Sequence, residues 1–255
     1  MLQAKFTIKR RIKMANIFDN VGAIVKREMV LFFVIDTSGS MYGTKIGAVN
    51  TAIREVIPEL RNAGGSDADI KIAALLFSND CRWVYQEPIS VHDFQWNPVE
   101  AFGVTVMGAA FKELASKMSK NAFLNAPSSS VAPAIFLMSD GYPTDEWQEG
   151  LKLLKQNRWF KYAIKVAVAI GDDADHTILT EFTGTSEAVI TTHTPEALKK
   201  MIRFVSITSS KIGSQSLPIN DNENSQTKQD KLNQNIQDYL KNNPDVDQNA
   251  ADQWD

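Results

Sequence analysis

Three oxygen-bearing side chains stand at alternate positions in Asp36-Thr37-Ser38-Gly39-Ser40-Met41, directly after the apolar run from Met29 to Ile35. One carboxylate and two hydroxyls spaced two apart can turn toward a single point where a strand gives way to a loop. Gly39 between the serines permits a tight backbone there. A donor set made only of oxygens, and low in charge, suits a hard divalent cation. A second carboxylate, Asp140, ends another apolar run, from Ala134 to Ser139. If the two runs are near neighbours in a parallel sheet, both carboxylates meet at one sheet edge and together neutralise a divalent ion. A coordination position then stays open to an anionic oxygen from outside.

The elements that must position these groups follow from the hydrophobic pattern. Residues 29–36 are apolar throughout, as expected of a strand covered on both faces. Over 44–61, Ile46, Val49, Ala52, Ile53, Val56, Ile57 and Leu60 draw one helical stripe, which Gly64-Gly65 ends. Residues 70–77 read as a second strand, and 81–85 as a short antiparallel neighbour joined to it through the turn Ser78-Asn79-Asp80. The stretch 86–104 is irregular. A helix over 106–120, a core strand over 134–139 and a helix over 145–157 with Asp145 as its N-cap come next. Strands over 163–170 and 187–191 alternate with helices over 174–182 and 195–207, the last opened by Thr194-Pro195. This alternation predicts an α/β fold: a doubly wound, mostly parallel central sheet with one short antiparallel edge strand and helices on both faces.

On these residues the chain resembles the von Willebrand factor type A family. Asp36-Thr37-Ser38-Gly39-Ser40 looks like its Asp-x-Ser-x-Ser motif, and the order of elements agrees over residues 28–208. The resemblance implies a metal-ion-dependent adhesion site. Its ligands would be Asp36, Ser38 and Ser40, with Thr105 matching the family's Thr from a later loop and Asp140 its strand-terminal Asp. The chain departs from the family at Gly103-Val104-Thr105, where many members have Gly-Gly-Thr, and Val104 is expected to alter how Thr105 reaches the metal. The Ser-Gly-Ser-Met-Tyr-Gly form and the length look most like the bacterial TerY-like group, associated with tellurium-resistance and stress-response gene sets. The oxygen-only ligand set suits Mg2+ or Mn2+, the family resemblance implies a protein partner that supplies a carboxylate to the cation, and the TerY-like likeness makes a protein kinase or a PP2C-type phosphatase a reasonable partner.

The rest of the chain narrows the function classes. Net charge is −3, which gives no general pull toward nucleic acid or anionic membrane, and no apolar run is long enough to span a bilayer. A single cysteine, Cys81, excludes an internal disulfide and fits a reducing compartment, so a cytoplasmic protein is the expectation. The aromatic residues Tyr42, Tyr142 and Trp147 flank the metal loops, with Trp147 expected in the core. Gly171-Asp172-Asp173-Ala174-Asp175-His176 reads as a loop plus the N-cap of a helix, with a second cation as the sharper alternative. His92, His176 and His193 lack metal-ligand spacing, and no Ser or Cys has a base at a spacing that would make it a nucleophile. No Gly-x-Gly-x-x-Gly follows the first strand and no Gly-Lys-Ser/Thr loop occurs, which argues against a nucleotide site. A metal-dependent phosphohydrolase is the alternative to a binding module, and Ser38 counts against it, standing where an aspartyl nucleophile would want a second carboxylate. The expectation is therefore a binding module and not an enzyme.

Three regions divide the chain. Residues 1–27 form a basic extension of net charge +6, within which Met14 offers an alternative start. Residues 28–208 form the α/β domain. Residues 209–255 form an Asn/Gln-rich, acidic tail, expected to be disordered apart from a short amphipathic helix around Leu232, Ile236, Tyr239 and Leu240.

Overall fold

A computed structural model describes residues 27–63, 68–125, 131–214, 227–246 and 251–254. Strand β1 (Arg27–Asp36) leads into helix α1 (Thr44–Ala63) through a short 3-10 turn at Gly39–Met41. Then come β2 (Ala68–Phe77), β3 (Cys81–Trp83), β4 (Ile89–Ser90) and α2 (Met107–Lys117). The second half runs β5 (Ala134–Ser139), α3 (Trp147–Gln156), α4 (Arg158–Tyr162), β6 (Ile164–Ile170), α5 (His176–Thr183), β7 (Val189–Thr192), α6 (Pro195–Ser214) and α7 (Lys228–Asn242).

The strands form one sheet in the order β3-β2-β1-β5-β6-β7, with β4 also paired to β2. The pairs among β1, β2, β5, β6 and β7 are parallel. β1 is buried from Met29 onward because both its faces are covered. Its alternate side chains serve two cores, as the period of two in a strand requires. Met29, Leu31, Phe33 and Ile35 pack with α1, α6 and α7, whereas Val30, Phe32 and Val34 pack with α2, α3 and α5. Two antiparallel segments, rather than the one expected, pair with β2. β3 pairs Trp83 with Leu75 at its outer end, and β4 pairs Ile89 with Ile72 inside the stretch expected to be irregular.

Differences from expectation have local causes. The helix expected over 145–157 begins at Trp147 and breaks at Asn157, whose side chain accepts from Trp159 N and Phe160 N and so caps α4. Asp145 caps a different helix: its carboxylate accepts from Gly108 N (2.9 Å) and Ala109 N (2.9 Å) in the first turn of α2, where Val106 at the N-cap offers no side-chain acceptor. Helices α2 and α3 approach closely through Gly108 and Gly150. A Cβ on Gly150 would stand 2.2 Å from Gly108 O, and one on Gly108 would stand 2.6 Å from Trp147 Cα.

The acidic tail is more structured than its composition suggests. Residues 209–214 extend α6, and α7 opens with a capping box between Thr227 and Asp230. α7 buries Leu232 and Ile236 in the first core. Its Gln229 amide bonds both Lys165 N (2.8 Å) and Lys165 O (3.0 Å), a stretch of β6 that β7 does not reach. The basic extension lies outside the described residues except for Arg27, which opens β1.

Candidate metal centre

The parallel sheet reverses direction of growth at β1: β2 lies on one side, and β5, β6 and β7 on the other. Loops leaving the carboxyl ends of β1 and β5 therefore diverge and open a crevice between them. The pairing of Ile35 with Met138 brings the next residues of each strand, Asp36 and Ser139, side by side. Ser139 Oγ donates to Asp36 Oδ2 at 2.6 Å, and Ser38 N donates to Asp36 Oδ1 at 2.8 Å. From there a chain of oxygens runs outward. The Ser38 and Ser40 hydroxyls are 3.1 Å apart, and Ser40 Oγ donates to Asp140 Oδ1 at 2.7 Å. Asp36, Ser38 and Asp140 are buried, and Ser40 is exposed at the crevice mouth.

Burial pushes the Asp36 carboxyl up to about 6, against the hydrogen bonds from Ser139 and Ser38, and the neighbouring Asp140 adds to the rise. Asp140 has a cation beside it: Lys45, in the first turn of α1, sits with Nζ 2.7 Å from Asp140 Oδ2. Neither Ser139 nor Lys45 was singled out from the sequence. Ser139 was readable as the residue before a strand-terminal Asp, but Lys45 carries no local signal, since its partner lies 95 residues away.

Thr105 stands apart from the other four. It is buried, its carbonyl accepts from Thr144 N (2.9 Å) and Thr144 Oγ1 (3.2 Å), and its own N–H donates to Thr144 Oγ1 (3.3 Å). Among the described residues no hydrogen bond joins its hydroxyl to Asp36, Ser38, Ser40 or Asp140. Its loop is nevertheless tied to theirs through the backbone: Phe102 N donates to Thr37 O (2.8 Å), and Gly39 N to Gly103 O (3.0 Å). Gly103 takes φ +82°, a conformation that favours glycine, whereas Val104 needs none such and turns its side chain outward.

The donor set fits a hard divalent cation. The Ser38 and Ser40 hydroxyls and the Asp140 carboxylate form one hydrogen-bonded chain, Asp36 is tied to it through Ser38 N, and every side-chain donor is an oxygen. The buried Asp36 carboxyl, disfavoured as an anion by its surroundings, is the kind of group that an adjacent cation would hold ionised.

A second cluster lies farther along the same edge. His193, just past β7, is buried, with Nδ1 2.6 Å from Asp252 Oδ1 and 3.5 Å from Asp172 Oδ1. Although partial burial opposes it, bonds from Asp172 N and His193, with Lys45 nearby, hold the Asp252 carboxyl below its usual range. Gln253 N donates to His193 O, and Trp254 packs against the first core. These three ligand types could hold a metal, yet both Asp252 oxygens are already occupied by hydrogen bonds that fasten the tail. Asp175, as expected, caps α5 by accepting from Thr177 N and Ile178 N. Cys81 is half-buried, and burial pushes its thiol up to about 12. Trp147 packs against the second core.

A doubly wound sheet with an acidic, hydroxyl-lined crevice at its carboxyl edge defines a class of α/β modules that engage ligands there. The model of the von Willebrand factor type A domain matches residues 31–204, and the chain belongs to that family. Such domains often bind metal at a metal-ion-dependent adhesion site and generally mediate protein interactions. Among solved structures, the chain is similar to a von Willebrand factor type A protein from Catenulispora acidiphila (21% identity, TM-score 0.55, covering 72% of this chain and 43% of that one). It is also similar to the pilus adhesin SpaC from Lactobacillus rhamnosus GG (15%, 0.57, 74% and 30%). A third is proximal thread matrix protein 1 from the mussel byssus, described with a zinc-occupied adhesion-site motif (15%, 0.53, 71% and 48%). At these identities the likeness is one of fold, and the chain spans less than half the length of each. No curated protein matches the chain. Among the described residues, no helix is long and apolar enough to cross a membrane.

Proposed function

We propose that this chain is a divalent-cation-dependent protein-binding module whose metal centre grips a carboxylate of a partner protein. Asp36, Ser38, Ser40 and Asp140 would hold the ion directly or through water, and Thr105 would complete the set from the neighbouring loop. The cation would be Mg2+ or Mn2+, which take carboxylate and hydroxyl oxygens and keep exchangeable positions. When bound, the ion supplies a Lewis-acidic position for an external anionic oxygen. The protein supplies its placement: Asp36 is oriented by Ser139 and Ser38 N, and Asp140 by Ser40 and Lys45.

The observation that carries this reading is the convergence of two buried carboxylates and two hydroxyls at the mouth of the switch-point crevice. Likeness to the bacterial TerY-like group supports a setting in tellurium resistance or stress response, with a protein kinase or PP2C-type phosphatase as the partner. Calorimetric titration with Mg2+ and Mn2+ tests the site: Asp36→Ala should abolish binding while circular dichroism stays that of the wild type. Wild-type affinity in that variant would sink the assignment. A pull-down from the native host with and without EDTA tests the partner. Cation-dependent release of phosphate from a generic phosphate ester would instead favour a metal-dependent phosphohydrolase.

A further inference from the structure

Six large hydrophobic side chains stand exposed among the described residues, and four belong to the three loops around the metal centre. They are Tyr42 (79% exposed), Phe102 (59%), Val104 (47%) and Tyr142 (64%). Isolated exposed apolar residues are ordinary, but a concentration on one edge marks an interaction surface. The three aromatic rings alone expose on the order of 400 Å². The loops share that edge because their backbones are joined: Gly39 to Gly103, Phe102 to Thr37, and Thr144 to Thr105. Gly141 lies against the Ser40 hydroxyl, which places the root of Tyr142 beside the crevice mouth.

The exposed charges around this collar are mostly acidic, with Arg82 beside Phe102 as the basic exception. Asp80 is exposed at the turn after β2, and Asp172 and Asp173 are exposed at the end of β6. β6 is the strand next to β5, so its end lies roughly 5 Å from that of β5. Lys45, the cation closest to the crevice, is engaged by Asp140. A partner segment crowded with carboxylates would meet these acids at the rim, whereas one carboxylate set among apolar side chains would meet the collar.

We propose that Tyr42, Phe102, Val104 and Tyr142 form an apolar collar that selects a partner carboxylate flanked by large apolar side chains over one in an acidic run. The inference rests on the metal-centre reading above and adds the chemistry of the segment recognised. The metal supplies the grip common to any carboxylate, and the collar supplies the discrimination, since apolar flanks gain only where apolar surface waits for them.

The test is a random-peptide library panned on the immobilised full chain in Mg2+ and eluted with EDTA. Eluted sequences should share one Asp or Glu flanked by Leu, Phe, Tyr, Trp or Met. Replacing the collar residues together (Tyr42→Ser, Phe102→Ser, Tyr142→Ser) should weaken the best peptide about tenfold or more, with calorimetric affinity for Mg2+ unchanged. Enrichment of acidic runs without apolar flanks, or equal affinity in the collar variant, overturns the collar while leaving the metal-centre reading standing. Recovery of no EDTA-eluted sequence, or peptide binding that survives Asp36→Ala, overturns the metal-centre reading itself.

Discussion

The buried Asp36 carboxyl makes the stability of the cation-free protein depend on pH in an unusual direction. Its ordinary value of 3.8 applies in the unfolded chain, and burial raises it to about 6 in the folded one. Between those values the folded state keeps a proton that the unfolded state has released, so the contribution of Asp36 to stability is fully present below about 3.8 and is lost as pH rises through 6. The difference between the two values corresponds to about 3 kcal/mol, or on the order of 6–12 °C in Tm for a chain of this size. Asp36→Asn removes the charge and keeps the shape. The Ser139 hydroxyl can rotate to accept from the new amide, and Ser38 N keeps an acceptor.

The experiment is urea denaturation of wild type and Asp36→Asn, stripped of divalent ions and held in chelator, across the acid-to-neutral range. Other carboxylates titrate in both proteins, so the difference between the curves isolates Asp36. It should swing by about 3 kcal/mol in favour of Asn between pH 3 and pH 7. Saturating Mg2+ should then raise the wild type at neutral pH, by about 2.7 kcal/mol at a hundredfold excess over Kd, and leave Asp36→Asn where it was. A difference curve flat across that range would refute the argument that burial, rather than hydrogen bonding, governs this carboxyl.

Three further outcomes can be checked on the same protein. Asp145→Ala removes the two acceptor contacts on the first turn of α2 and should cost about 2 kcal/mol in urea denaturation, far more than an exposed loop carboxylate would. Gly108→Ala should destabilise despite alanine's better helix propensity, by about 2 kcal/mol or more, because its methyl meets the Trp147 backbone; a gain in Cm would contradict the close approach of α2 and α3. The docked tail should loosen in His193→Ala and, in wild type, as pH falls below about 3.8 through the lowered value of Asp252. Hydrogen exchange at residues 251–254 reads both.

How legible the molecule was from its sequence depended on whether a signal was local. β1, β2, β5 and α1 stand close to their expected bounds because continuous apolar runs and a helical stripe leave few alternatives. Asp36, Ser38 and Ser40 sit within five residues, and Asp140 ends an apolar run, so spacing alone brought them forward as a group. Asp145 was misassigned because an acid before a helix reads as that helix's cap, and nothing nearby says that α2 lies within reach. Composition misread the tail in a similar way. α7 needs only Leu232 and Ile236 buried against an existing core, and Asp252 and Trp254 find partners at β6 and β7 that no tail residue announces.

Val104 shows how the edge divides its tasks. A second glycine before Thr105 would leave that position bare, and valine there was expected to disturb the threonine. In the structure the strained conformation falls on Gly103 alone, where a Cβ would strike the Asn79 side chain at 2.4 Å. Asn79 Oδ1 instead accepts from Val104 N at 3.0 Å, which fixes the loop from outside. Thr105 stays buried and bonded to Thr144. The valine side chain points outward and adds apolar surface to the rim. Backbone bonds between loops hold the oxygens in place, and side chains at the loop tips are free to vary without moving them. Under the metal-centre proposal, specificity on this edge changes with the loop-tip side chains while the backbone bonds beneath them stay in place.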